Sequence, residues 1–299
     1  MKNQYACDVG DYGKLGLLRH FANNGIKIGV NWYLTEDDGS NDGKHIGYLD
    51  KPAFRRCDPE LFDALKDIVE RNNRSVKSIE EKNLIPNADY YGHILKCKSL
   101  TPSKRTIERR LWFNNSKLLL SDAELIFADP DNGMRSRMTA GAKDSEKYVL
   151  PEEISELYFA GKNVVYYCHK GRRTYEAWDI AKTEIRSYIR DAKIIVLTYH
   201  RGTQRSFIFV VHPDEYERYL KIVTSFEYTR WRDSFTREPV DNVVPGMEIT
   251  GELLSFSLNN GDILTISKQA DGRVCSQLKS KPGVSKIITA DQLAGYVAP

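Results

Sequence analysis

Two aspartates flank a proline in "IFADPDNGMRSR", residues 126 to 137. The apolar run stops on Asp129-Pro130-Asp131-Asn132-Gly133, and Arg135 follows. A tight turn accounts for Gly133 and Asn132. It does not require two carboxylates. Paired acids at the end of a buried strand can activate water or steady a developing positive charge. Three other stretches carry similar groups. "TEDDGSNDGKH" supplies Glu36, Asp37, Asp38, Asp42, Lys44 and His45. "CHKGRR" supplies His169, Lys170, Arg172 and Arg173, and "YHRG" supplies His200 and Arg201. Histidines exchange protons near neutral pH, and arginines suit phosphates. The mixture fits hydrolysis of a nucleotide or nucleic acid. Plainer readings stand beside it: "DDGSNDG" as a surface turn, and His169 and His200 as caps on strand ends. Tyr166, Tyr167 and Trp32 read as core, His212-Pro213 as a helix start, and Trp231 as interdomain packing.

These groups need elements to hold them. "DYGKLGLLRHFANNG" reads as a helix with Tyr12, Leu15, Leu18 and Phe21 near one face and Gly25 as its stop. "KIGVNWYL" is a strand. "DPELFDALKDIVERNN" is a helix with Asp58 as cap and Pro59 in its first turn. "ADYYGHILKC" is a strand, and "SKRTIERRLWFNNSKLL" a helix with Ser103 as its candidate cap. "AELIFAD", "NVVYYC", "AKIIVLTY" and "RSFIFVV" are strands, the last two linked by "HRGTQ" as an antiparallel hairpin. "PEEISELYFAGK", "TYEAWDIAKTEIRSYIR" and "PDEYERYLKIVTSF" are helices between and after them. Alternating strands and helices predict an α/β sheet, largely parallel. Near-continuous apolar strands predict cover on both faces. Each ionisable cluster then follows a strand, so Asp38, Asp129, His169 and His200 should share one crevice at the carboxyl ends.

Composition changes after about residue 227. "MEITGELLSFSLNNGDILTISKQADGRVCSQL" alternates polar with apolar around Asn260-Gly261-Asp262 and Asp271-Gly272, as a β-meander does. "ITADQLAGYV" reads as a terminal helical turn. The division is 1–226 for a catalytic α/β domain and 227–299 for a small β-rich accessory domain.

The chain has 299 residues, 41% hydrophobic and 28% charged, with net charge +3. That is ordinary for a globular protein. No apolar run approaches a membrane span, so no membrane partner is expected. The five cysteines are scattered without a CxxC pair. That argues against a zinc knuckle and for a reducing cytoplasm. "SKRTIERR", "GRRTYE" and "YTRWRDSFTRE" cluster basic residues, which can line a phosphate-binding face.

The order of elements, ending in a hairpin, resembles the Rossmann-like doubly wound fold of class I AdoMet-dependent methyltransferases over roughly residues 10 to 226. Within that group it is similar to the ribosomal-RNA adenine methyltransferases and the three-Cys-motif partner proteins. They share the helix before the first strand and the Asp-Pro turn after the fourth. The opening "MKNQYACDVGDYGKLGLLRH" also resembles the start of an uncharacterised bacterial family. The methyltransferase resemblance implies AdoMet as cofactor and nucleic acid as substrate. Two stretches depart from it. The loop after the first strand carries four acids where that family has glycines. The Asp-Pro-Pro-aromatic motif is here Asp129-Pro130-Asp131-Asn132, which exchanges a proline for a carboxylate and an aromatic for an amide.

The residues themselves favour a nucleotide- or nucleic-acid-acting hydrolase, by N-glycosidic cleavage of the DNA-glycosylase kind. Asp129, Asp131, Asp38 and His169 are its candidate catalytic groups. Asn132, Arg135, Lys170, Arg172, His200, Arg201 and Lys44 are its candidate substrate contacts. No cofactor and no metal is assigned. The alternatives are AdoMet-dependent methyl transfer, a nuclease holding Mg²⁺ on Glu36, Asp38, Asp129 and Asp131, and a non-catalytic binding module.

Overall fold

The computed structural model describes residues 1–39, 43, 45–202, 204–240 and 242, and the course of four further strands beyond them. The chain divides into two units, Met1–Asn242 and Val243–Pro299.

The first unit is built on a seven-stranded mixed sheet. Its strands are β1 (Ile28–Asn31), β2 (Asp89–Tyr91), β3 (Leu125–Ala128), β4 (Asn163–Cys168), β5 (Lys193–Tyr199), β6 (Arg205–Val211) and β7 (Phe235–Glu238). The order is β2-β1-β3-β4-β6-β5-β7. β2, β1, β3 and β4 run parallel. β6 is antiparallel to both β4 and β5, and β7 is antiparallel to β5.

Eight α-helices are present among the described residues: α1 (Val9–Asn23), α2 (Pro52–Arg55), α3 (Pro59–Glu70), α4 (Val76–Glu81), α5 (Pro102–Leu119), α6 (Pro151–Phe159), α7 (Tyr175–Thr183) and α8 (Tyr216–Glu227). Their starts follow local chemistry. Asp58 caps α3 by accepting from the Leu61 amide at 3.0 Å, with Pro59 at the first position. The cap position of α5 is Thr101, not Ser103, because Pro102 takes the first helical place. Glu153 folds back on the Leu150 amide at 3.1 Å and closes the start of α6.

Alternate residues of β3 face opposite cores. Leu125 and Phe127 join α1, α3 and α8, while Ile126 and Ala128 join α5, α6 and α7. Both faces are therefore covered, as the unbroken apolar strands required. α1 lies very close to the sheet. A Cβ at Gly13 would fall 2.7 Å from the Tyr199 ring, and one at Gly16 would fall 2.2 Å from Trp231.

The expected boundary at 226/227 falls too early. Trp231 and Phe235 are buried in the first core, and β7 extends its sheet. The composition shift marks the end of α8, not of the unit. In the second unit, β8 (Leu254–Ser257), β9 (Ile263–Lys268), β10 (Val274–Ser280) and β11 (Val284–Ile288) form an antiparallel meander. The two turn dipeptides and the terminal helical turn read from the sequence lie outside the described residues, as do Asp42 and Lys44.

Candidate active site

β3 ends where Pro130 removes a backbone donor. The Asp129 amide still reaches the Asn31 carbonyl at 3.0 Å, so the turn begins docked on β1. Gly133 closes the turn at φ +88°, and a Cβ there would meet Cys168 Sγ at 2.8 Å. Only glycine allows both the left-handed backbone and that approach to β4.

The turn walls a cavity of about 200 Å³ at the carboxyl ends of β3 and β4. Asp129, Pro130 and Asp131 line it, with Asp8, Asp11 and Lys14 from the start of α1, Tyr167 from β4, and Arg205 from the start of β6. Lys14 Nζ sits 2.6 Å from Asp11 Oδ1 and 2.6 Å from Asp129 Oδ2. Asp8 accepts from the Gly10 and Asp11 amides at 2.7 and 2.9 Å and from Arg205 at 2.9 Å. The first amides of α1 are thus already capped and do not form an open phosphate cradle. Asp131 pairs with the Met1 amine at 2.6 Å, and Lys2 lies 3.9 Å away. The same amine donates to the Tyr33 and Asp129 carbonyls at 3.1 Å each.

These charges shift one another. Burial pushes the Asp129 carboxyl up, opposed by Lys14 and the Met1 amine. Burial also raises Asp8, and neighbouring Asp11 adds to it. Burial alone would lower Lys14, but Asp11 and Asp129 outweigh it and hold the ammonium well above its usual range. Lys14 is therefore a fixed cation and not a base. Burial raises the Tyr167 phenol to about 12.

The expected crevice is only partly assembled. Asp129 and Asp131 share the cavity, but Asp38 lies in a neighbouring hollow, paired with Lys2 at 2.7 Å. Glu36 lines that second hollow too, so the four acids envisaged for Mg²⁺ are split between two places. His169 is half-buried and does not line the cavity, with its ring centroid 6.0 Å from that of Tyr167. Burial and the charges of Arg173 and Arg205 lower its pKa. His200 is exposed, and its amide donates to the Ser234 carbonyl at 2.9 Å. Asn132 donates its amide to the Lys147 carbonyl at 2.9 Å. Arg135 leaves the acids and lies 5.4 Å from the Tyr148 ring centre. Lys170 sits over Tyr175 at 3.2 Å, Arg172 is exposed, and Arg201 reaches Ser234 Oγ at 3.2 Å. Arg109 does not join a basic surface. It is buried and clamps Glu153 through two nitrogens, at 2.7 and 2.8 Å.

Asp8, Asp11, Lys14, Tyr167 and Arg205 were absent from the sequence-derived site. Their signal was "DVGDYGK", where Asp8, Asp11 and Lys14 recur every third residue along one helix face.

No family model matches the chain, and no curated protein matches it. Among solved structures, a Legionella pneumophila (strain Philadelphia 1) protein described by the family model DUF519 is similar at 13% identity and a TM-score of 0.39, covering 78% of this chain and 96% of that one. No helix among the described residues is long and apolar enough to cross a membrane.

Proposed function

We propose that this chain is an enzyme of bacterial cytoplasm that admits one unit of a nucleotide or nucleic acid into the rim cavity and hydrolyses its N-glycosidic bond. The observation that carries this reading is the Asp129-Pro130-Asp131 turn forming one wall of that cavity. Between β1 and β3 the chain reverses its direction across the sheet, and such switch points are where open α/β sheets bind ligands. Asp131 is the acid that steadies positive charge on the sugar or orients the attacking water. Asp129, fixed by Lys14, holds the turn and adds negative field. Arg205 and Lys14 offset charge building on the departing base or its phosphate. A cavity of about 200 Å³ is below the roughly 300–1,000 Å³ usual for a whole drug-sized ligand, so it suits one base or sugar unit. The four described cysteines are free, which agrees with a reducing compartment. In this reading the seven-stranded unit is a Rossmann-like doubly wound domain and the meander its accessory domain.

The test is base release from nucleotides and oligonucleotides, followed by chromatography. Asp131→Asn keeps shape and removes charge, and should slow release by about a hundredfold; because it also leaves the buried Met1 amine without its carboxylate, the rate is compared on variant protein whose fold is verified by circular dichroism. Asn is a good turn former. Full activity in both Asp131→Asn and Asp129→Asn would show that the acids are turn residues and that the site lies elsewhere.

A second reading, AdoMet-dependent methyl transfer, is favoured by one observation. β6 enters antiparallel between β4 and β5, so the terminal hairpin takes the place it has in the methyltransferase-like sheets this sequence resembles. Calorimetric titration separates the two. The hydrolase reading expects no AdoMet binding, and micromolar binding would replace it with methyl transfer.

A further inference from the structure

Two basic loops leave the sheet beside the rim cavity. Past Gly133 the cavity wall continues as a loop carrying Arg135 and Arg137, both exposed. Past Tyr167, which lines the cavity, β4 continues as a second loop carrying Lys170, Arg172 and Arg173. The loops start in contact, since a Cβ at Gly133 would fall 2.8 Å from Cys168 Sγ and 3.0 Å from Cys168 Cα. Burial pushes the Cys168 thiol up to about 11, and the nearby Arg173 charge opposes that rise. The second loop has a defined shape. Gly171 takes a left-handed backbone at φ +59°, and Arg173 Nη1 donates to the His169 and Lys170 carbonyls at 2.9 and 3.2 Å. Lys170 Nζ lies 3.2 Å from the centre of the Tyr175 ring, which is 77% exposed.

The five cations of these loops make no ion pair among the described residues. Neighbouring acids are mostly spoken for. Asp131 holds the Met1 amine, Asp144 pairs with Lys147 at 3.1 Å, and Asp179 pairs with Lys182 at 2.7 Å. Glu176, at the start of α7, and Glu184, whose charge reaches Cys168 from behind, count against the patch. Five cations against two acids still leave a positive surface. A lone phosphate is best held by donors converging on one point, whereas these cations are strung along two exposed loops. A polymer with a phosphate on every unit meets several of them at once. Tyr175 adds a stacking platform, and stacking requires a base face that is not already covered. A duplex keeps its base faces inside its own stack, so the surface suits a single strand.

We propose that these two loops bind a single-stranded polynucleotide beside the rim cavity, with its phosphates on Arg135, Arg137 and Arg172 and a base stacked on Tyr175. Lys170 and Arg173 shape the second loop and add to its field. Only the identification of that strand as the substrate rests on the hydrolytic reading. Binding itself can be measured without any turnover.

The experiment is fluorescence anisotropy of the full chain with a labelled single strand of about 12 nucleotides, and with a hairpin duplex of the same length. The single strand should bind more tightly than the duplex, with an affinity that falls steeply as salt rises. Tyr175→Ala should weaken single-strand binding by about tenfold and leave the salt slope unchanged, because stacking releases no counterions. Arg137→Ala should flatten the slope by about 1. Both residues are exposed, so circular dichroism should show each variant folded. The proposal is overturned by absence of binding at low salt, by equal affinity for the duplex, or by unchanged affinity in Tyr175→Ala. Tighter binding to vesicles of phosphatidylserine and phosphatidylcholine than to the strand would assign the patch to a lipid surface and overturn it too. Base release from free nucleotides without strand binding sinks this proposal and leaves the hydrolytic reading standing. Strand binding with the expected variant pattern and no base release does the reverse.

Discussion

Replacing Lys14 by methionine is the sharpest test of how the rim is held together. Lys14 is buried and sits 2.6 Å from each of two carboxylates. At an effective dielectric of about 20, each attraction is worth about 6 kcal/mol. Desolvating three ions takes most of that back, so the intact cluster contributes little net stability. Removing the cation alone is different, because Asp11 and Asp129 stay buried without it. The expected loss is about 3–5 kcal/mol at neutral pH. The pH dependence has a definite sign. Burial already raises Asp129, and without Lys14 its folded pKa climbs further above the unfolded value of about 3.9. The folded variant then binds more protons than the unfolded chain, so its stability falls as pH rises from about 4 through the new folded pKa. The deficit relative to wild type should therefore be smaller at pH 5 than at pH 7. Urea unfolding followed by circular dichroism at both pH values reads this directly. Lys14→Met combined with Asp129→Asn should recover part of the loss, since one of the stranded charges is gone. A loss under about 1 kcal/mol, or no recovery in the double variant, would refute the buried-triad account.

Gly16→Ala should destabilise by about 1–3 kcal/mol through its contact with Trp231, read as a lowered urea midpoint with unchanged slope. Oligonucleotide binding should weaken with salt. Arg172→Ala should reduce the slope of log affinity against log salt by about 1, and an unchanged slope removes Arg172 from the phosphate contacts. The His169 imidazole should titrate below its ordinary value of about 6.5 in NMR spectra, because burial and the charges of Arg173 and Arg205 disfavour its cation. Arg173→Ala should move that titration upward, and an unmoved one would place Arg173 away from the ring.

The sequence by itself determined every strand of the parallel half of the sheet and the hairpin that closes it. These depend on apolar runs and on caps such as Asp58-Pro59, which act within a few residues. It also placed Asp129 and Asp131 at a strand end, because Pro130 and Gly133 constrain the local backbone whatever surrounds them. It did not reveal β7, whose four residues alternate too briefly to stand out and are ordered by pairing with β5. Nor did it decide which charges meet. Arg135 is four residues from Asp131 yet turns to Tyr148, while Lys14, 115 residues from Asp129, becomes its partner. Arg109 belongs to a basic run in the sequence but is buried on Glu153. Ion pairing in a low-dielectric interior depends on distances across the fold, and only the packing of α1 against β3 sets those distances.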